Sequence, residues 1–144
     1  MIFNTAPREG TQIMLLACSG GSNVGQLSNQ AAVELTREGF GKMSCLAGIG
    51  GELMGFIHSA ITTPVVVVID GCPIGCAKSC FEKADVPIKA YIVLTDLGIE
   101  KNGDMELKAE DIAKVKEAVR QKAAEYEQKH CPAINPAPAS LPGS

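Results

Sequence analysis

The sequence predicts an α/β fold, a small open three-layer sandwich around a mostly parallel four-stranded sheet. Three observations support this prediction. Short apolar runs alternate with segments of helical periodicity. The run Val65-Val66-Val67-Val68-Ile69 contains only β-branched residues, which is typical of a central strand covered on both faces. The chain has 144 residues, 46% of them hydrophobic, which suits one domain with one core.

Each element follows from a local pattern of apolar residues and of residues that end helices. Gly39 ends the first helix, Pro64 precedes the central strand, and Asn102-Gly103 predicts a tight turn in a small hairpin. The predicted elements, in chain order, are a strand at 13–17, a helix at 24–38, a strand at 42–46, a helix at 52–60, a strand at 65–69, a helix at 75–84, a strand at 88–95 and a helix at 109–128.

The chain divides into an N-terminal extension, one domain and a tail. We expect residues 1–12 to form the extension and residues 13–130 the domain. Residues 131–144 hold four of the eight prolines and no charged side chain, which predicts a disordered tail and leaves Cys131 outside the fold. Because no apolar run suits a secretory signal or a membrane span, we expect a cytoplasmic protein that does not bind membranes.

Composition narrows the classes of function. The 13 Lys and Arg against 16 Asp and Glu give a net charge of −3, without the basic tract that nucleic acid requires. Six cysteines in so short a chain place the chemistry in the thiols. Structural disulfides are not expected in a cytoplasmic chain with a core of this size. A homo-oligomer is compatible with the composition.

The cysteines follow the predicted strands. Cys18 follows the first strand, Cys45 ends the second and Cys72 follows the third. A flavodoxin-like or Rossmann-like strand order of 2-1-3-4 brings these carboxyl ends to one edge, at the switch point where open α/β sheets bind ligands. Cys76 and Cys80 extend the group, since positions i and i+4 share a helix face.

Thiolates from Cys18, Cys45, Cys72 and Cys76 could surround Zn²⁺ at about 2.3 Å each. Cys80 is a further ligand, a resolving thiol or a packing residue. The loops beside these thiols support the site, because the backbone N–H groups of a helix start stabilise negative charge, and Asp before Gly favours a turn. The supporting residues are Ser19, Gly20, Gly21, Ser22, Asp70 and Gly71.

These motifs resemble a known family. Ala17-Cys18-Ser19-Gly20-Gly21-Ser22, Cys45-Leu46-Ala47 and Ile69-Asp70-Gly71-Cys72-Pro73 with Cys76-Ala77 are similar to segments of the DGC-domain proteins, named for the Asp-Gly-Cys tripeptide. The resemblance covers about residues 13–119. It implies a zinc-binding protein with four characteristic cysteines, which are Cys18, Cys45, Cys72 and Cys76 in this chain, and it implies no particular reaction.

Two other functions stay open at this point. The first is a thiol redox enzyme or carrier that acts on sulfur, selenium or a metalloid through low-pKa cysteines, with a small thiol or metalloid as its ligand. The second is an iron–sulfur cluster on the same ligands, because the Cys-x₃-Cys-x₃-Cys spacing at 72–80 is close to known cluster loops. Thiolates suit all of these centres, so the residue types do not decide whether the protein is an enzyme.

Overall fold

A computed structural model describes residues 6–131 and has the predicted architecture. Four parallel strands form one sheet in the order β2-β1-β3-β4, which confirms the α/β fold and the 2-1-3-4 order. The strands are β1 (Ile13–Ala17), β2 (Lys42–Met43), β3 (Val65–Asp70) and β4 (Ala90–Val93), and the helices are α1 (Asn23–Arg37), α2 (Leu46–Gly50), α3 (Met54–Thr62), α4 (Cys76–Lys83) and α5 (Ala109–His130).

Helices cover both faces of the sheet. One face packs on α1 and α5 through Leu15 and Val67, which are fully buried with Leu35 and Val119. The other face packs on the shorter helices α2, α3 and α4, where Phe81 is fully buried. Every residue of β3 is buried, as expected for a central strand between two helical layers.

The strand register aligns the carboxyl ends of the sheet. Ala17 pairs with Ile69 across β1 and β3, and Asp70 pairs with Val93 across β3 and β4. The chain leaves β1 toward the α1 layer and leaves β3 toward the α4 layer. The loops after β1 and β3 therefore diverge, which creates the switch point between neighbouring strands.

The second strand is shorter than the prediction of 42–46. It ends at Met43, and the N–H of Ser44 donates to the carbonyl of Leu15 before the chain turns into α2. The sequence predicted a loop where α2 forms, because Gly48 and Gly50 lower helix propensity. Cys45 is consequently the residue that precedes α2, and its placement at the end of a strand was wrong.

The predicted hairpin at Asn102-Gly103 was also wrong. Residues 101–108 contain no strand, and β4 leads into a 3₁₀ turn at Leu94–Leu97. Tertiary hydrogen bonds hold the 100–102 segment instead. The Asn23 side chain donates to the Glu100 carbonyl at 2.7 Å and accepts the Asn102 N–H at 2.6 Å.

Cys131 packs on the domain, so its placement outside the fold was wrong. Cys131 follows α5 and packs against the core, and its Sγ is 3.7 Å from the Pro64 carbonyl.

Part of the predicted N-terminal extension packs on α5. The Glu127 side chain, which is 2% exposed, accepts hydrogen bonds from the Arg8 N–H and the Thr11 hydroxyl. The remainder of the predicted tail lies outside the described residues.

Between residues 6 and 131, none of the helices is both long and apolar enough to cross a membrane.

Candidate functional site

A small cavity of about 130 Å³ lies at the carboxyl edge of the sheet, between the loops that follow β1 and β3. Three thiols line it, those of Cys18, Cys72 and Cys76, and so does the Lys101 side chain. The cavity therefore occupies the switch point, where the strand order predicted a ligand site. Its walls also include backbone of the glycine-rich loops.

Cys18 is partly buried and fully hydrogen-bonded. Its Sγ accepts the Gly71 N–H at 3.3 Å and lies 3.5 Å from the Ser28 hydroxyl oxygen. The single proton of that hydroxyl group is donated elsewhere, to the Gly25 carbonyl at 2.6 Å. Because that proton is used, the Ser28 oxygen faces Cys18 with its lone pairs.

Cys72 has a cation as its partner. The Lys101 ammonium donates to Cys72 Sγ at 3.4 Å. A cation at hydrogen-bonding distance stabilises negative charge on sulfur, which is the form that acts as a nucleophile or metal ligand. Lys101 was not among the predicted site residues, because nothing in the local pattern indicates that the 98–108 loop returns to the end of β3.

Asp70 fixes the start of α4 and with it Cys76. The carboxylate is 1% exposed and accepts the N–H groups of Ala77 and Lys78 at 2.8 and 3.0 Å. It also accepts the Tyr91 hydroxyl at 2.7 Å. Burial and the neighbouring Asp70 carboxylate raise the pKa of Tyr91 well above its ordinary value, so Tyr91 acts as a hydrogen-bond donor.

Gly75 and Gly71 meet steric demands of the loop. Gly75 immediately precedes α4 with φ of +72°, a left-handed conformation that glycine adopts without strain. At Gly71 a Cβ would lie 2.7 Å from backbone atoms of Val24 and Gly25. The absence of a side chain at Gly71 lets the loop after β3 approach the start of α1 and bring Cys72 beside Cys18.

The loop after β1 forms the opposite wall. Gly20, Gly21 and Ser22 line the cavity, and the Ser22 hydroxyl caps α1 by accepting the Gly25 N–H at 3.1 Å. Ser19 has a left-handed backbone conformation, and its N–H donates to the Ser28 hydroxyl oxygen at 3.3 Å. These residues shape the wall that supports Cys18.

Cys45 does not line this cavity. It is exposed and lines a larger groove of about 780 Å³, together with Met14 and Ser44. This groove lies along β2 and α3, and none of its lining residues lines the cavity at the switch point. The structure thus groups three of the four thiols that the sequence placed together and separates the fourth.

Cys80 lies one helical turn after Cys76 and faces the second helical layer. It packs among the residues that cover that face, and a Cβ built on Gly50 would lie 3.0 Å from its Sγ. Burial raises the pKa of Cys80, and the nearby Cys76 and Asp70 add to the shift. These contacts favour the packing role over a ligand role.

The donor atoms suit a soft metal, but their arrangement does not form a metal site. Across residues 6–131, no three side chains of His, Cys, Asp or Glu lie close enough together to hold an ion. A tetrathiolate centre needs four sulfurs around one point, and Cys45 belongs to another surface. As arranged, the residues do not fit a Zn²⁺ centre on Cys18, Cys45, Cys72 and Cys76, and an iron–sulfur cluster on those four fits no better.

Comparison with known proteins gives a consistent family assignment. The profile of the DGC domain matches residues 14–119. The chain is 33% identical over 111 residues to the "Anaerobic and virulence modulator AnvM" of Pseudomonas aeruginosa strain PAO1, an alignment that covers 77% of this chain and 84% of the relative. No solved structure matches the chain. The profile match includes the tripeptide Asp70-Gly71-Cys72 and all four predicted thiols, and we conclude that the chain belongs to the DGC-domain family.

Proposed function

We propose that this protein is a thiol-based carrier or redox protein whose cavity admits a small, soft species to the thiols of Cys18, Cys72 and Cys76. Sulfur, selenium and metalloid compounds have the required affinity for thiolates. One observation carries this proposal, the presence of three thiols on one small cavity at the switch point of the sheet.

None of the three cavity thiols is fully buried. Structural cysteines are normally buried and inert. Cys76 is exposed, and Cys18 and Cys72 are partly exposed. Neighbouring donors polarise two of these sulfurs, Cys18 through the Gly71 N–H and Cys72 through the Lys101 ammonium.

The size of the cavity limits the ligand. The cavity has a volume of about 130 Å³. This space suits a species of a few heavy atoms. The name of the Pseudomonas aeruginosa relative refers to anaerobic conditions, and cysteine thiols are residues that respond chemically to oxidants.

Zn²⁺ binding is the second candidate, favoured by the three soft donors on one cavity. It requires the cavity thiols to move toward one another and a fourth ligand to be supplied. Cys45 is the thiol that family membership suggests for that position, and it would have to leave the groove beside β2.

The test is site-resolved alkylation of the reduced protein with iodoacetamide at neutral pH, followed by mass spectrometry. We expect Cys72, whose sulfur accepts from the Lys101 ammonium, to react faster than a free cysteine. Cys80 should react more slowly, because its raised pKa keeps it protonated and its neighbours cover it. Cys131→Ser is the matched control, since Cys131 lies beside Pro64 at the opposite end of the sheet. Ordinary rates at Cys18, Cys72 and Cys76 would contradict the thiol proposal.

Metal analysis of the reduced protein, prepared without oxygen, distinguishes the thiol proposal from zinc binding. One equivalent of zinc that is lost in both Cys72→Ser and Cys45→Ser would establish the metal centre and replace the thiol proposal. Zinc that stays at background level, also after reconstitution, would remove the second candidate. An iron-containing, coloured sample would favour the cluster.

A further inference from the structure

Lys101 places a positive charge at the wall of the cavity, in addition to the three thiols. Among the described residues that line the cavity, Lys101 is the only cation and Asp70 the only anion. Both Asp70 oxygens already accept hydrogen bonds from the N–H groups of α4 and from Tyr91. The Lys101 ammonium, in contrast, is exposed to solvent and lies 3.4 Å from Cys72 Sγ.

The backbone on both sides of Lys101 is fixed to the start of α1. Asn23 is 9% exposed, and its side chain donates to the Glu100 carbonyl at 2.7 Å. Its side-chain oxygen accepts the Asn102 N–H at 2.6 Å, and its own N–H donates to the Asn102 carbonyl at 2.9 Å. Three hydrogen bonds thus hold the residues that flank Lys101, so its backbone is fixed beside the cavity.

The hydrogen bonds assign different roles to the two partly buried thiols. Cys18 accepts the Gly71 N–H, and the only proton on the Ser28 hydroxyl is directed to Gly25. Negative charge on Cys18 would face an oxygen lone pair of Ser28. Negative charge on Cys72 would face an ammonium group. Cys72 is therefore the better nucleophile by its surroundings.

We propose that Lys101, positioned by Asn23, makes this cavity select small anionic thiol-reactive species and directs them to Cys72. This inference rests on the proposed function and adds the charge class of its substrate. The same ammonium that stabilises the Cys72 sulfur attracts the negative group of an incoming molecule into a cavity of about 130 Å³.

A pair of probes that differ in charge tests the inference. The Cys72 sulfur attacks the methylene carbon of iodoacetate or iodoacetamide, a sulfur–carbon bond forms, and iodide leaves with the bonding electron pair. The chemistry is identical for both reagents, but iodoacetate carries a carboxylate. The ratio of the two rates at Cys72 therefore reports the charge of the cavity, independently of how reactive the thiol is.

We expect Lys101→Met to lower the iodoacetate-to-iodoacetamide ratio at Cys72 about two- to fivefold, the size of effect that an exposed charge pair supports. Lys101→Arg should keep most of the ratio. Lys129→Met changes the net charge equally, but Lys129 is exposed in the last turn of α5 near the opposite end of the sheet. This control should leave the ratio unchanged.

Asn23→Ala provides a second variant that keeps the ammonium and releases its support. It should lower the ratio toward the Lys101→Met value, and added salt should have less effect on the ratio in both variants than in the parent protein. An unchanged ratio in Lys101→Met, or an equal fall in Lys129→Met, overturns the inference. Slow reaction of Cys72 with neutral iodoacetamide in the parent protein refutes the proposed function instead, so the two failures are distinguishable.

Discussion

Replacement of Asp70 by Asn tests whether one buried carboxylate joins the central strand to the helix that carries Cys76. Asp70 is the last residue of β3, and its side chain accepts three hydrogen bonds, two from the first turn of α4 and one from the Tyr91 hydroxyl. An asparagine has nearly the same shape but only one acceptor oxygen. Its amide nitrogen would face at least one of those donors.

The expected cost follows from these contacts. Hydrogen bonds to a charged group are worth about 1.5–3 kcal/mol each, and a buried donor without a partner costs about 1–3 kcal/mol. In Asp70→Asn at least one of these hydrogen bonds is lost, and its buried donor faces the amide nitrogen. We therefore expect a loss of about 2–4 kcal/mol in the free energy of unfolding, or a fall of about 5–15 °C in Tm for a domain of this size.

Urea denaturation followed by far-ultraviolet circular dichroism measures this loss. Asp104→Asn is the matched control, since Asp104 is exposed and accepts only the Glu106 N–H at 2.9 Å among the contacts described. It should change stability by less than about 0.5 kcal/mol. Tyr91→Phe, alone and combined with Asp70→Asn, gives the coupling between the two side chains.

A cost below about 0.5 kcal/mol for Asp70→Asn would refute the reasoning, because it would show that the carboxylate does not hold α4. If Asp70→Asn strongly lowers the free energy of unfolding but shows no measurable coupling energy with Tyr91→Phe, the hydrogen bond from the Tyr91 hydroxyl does not contribute to this stability. Alkylation of Cys76 in the folded variant supplies a local readout, since a released first turn of α4 should change its rate.

Two further predictions concern stability. Gly71→Ala should cost about 3 kcal/mol, because its Cβ would lie 2.7 Å from the backbone at the start of α1, whereas Gly21→Ala, with open space around it, should be nearly neutral by thermal denaturation. The hydrogen bond from Lys116 lowers the pKa of Glu38, so this pair stabilises the fold above the usual glutamate value of 4.5 and the contribution is lost as the pH falls through the lowered pKa. A Glu38→Gln variant should then differ from the parent in urea denaturation at neutral pH and match it in strong acid; a difference independent of pH would contradict this assignment.

The parts of the fold that were predictable are those set by local patterns. Five consecutive β-branched residues at 65–69 specify a central strand in almost any context, and the position of Cys72 directly after it follows. The same holds for β1 and Cys18. A flavodoxin-like strand order with right-handed crossovers, which the structure confirms, then places these two thiols at neighbouring strand ends.

The parts that were missed depend on tertiary contacts. Cys45 follows β2, a strand of two residues that is too short to show the alternation of apolar and polar residues typical of a strand. The helix α2, which begins after Cys45, forms although it contains two glycines. Lys101 lies in a segment held by Asn23, 78 residues earlier in the chain. No local signal connects two such positions. Cys131 likewise ends a helix that packs on the core, while the prolines after it indicated a tail.

The tripeptide Asp70-Gly71-Cys72 connects the central strand to three other parts of the molecule. Asp70 binds the first turn of α4, the Gly71 N–H donates to Cys18 after β1, and Cys72 accepts from Lys101. Each residue type suits its contact. Asp70 supplies an anion for the N–H groups of the helix, and Gly71 has no Cβ to collide with the start of α1. Cys72 places a sulfur beside the Lys101 ammonium. Because the three contacts leave one short segment in different directions, a shift at any of them moves the other two, and the cavity is therefore positioned as a unit.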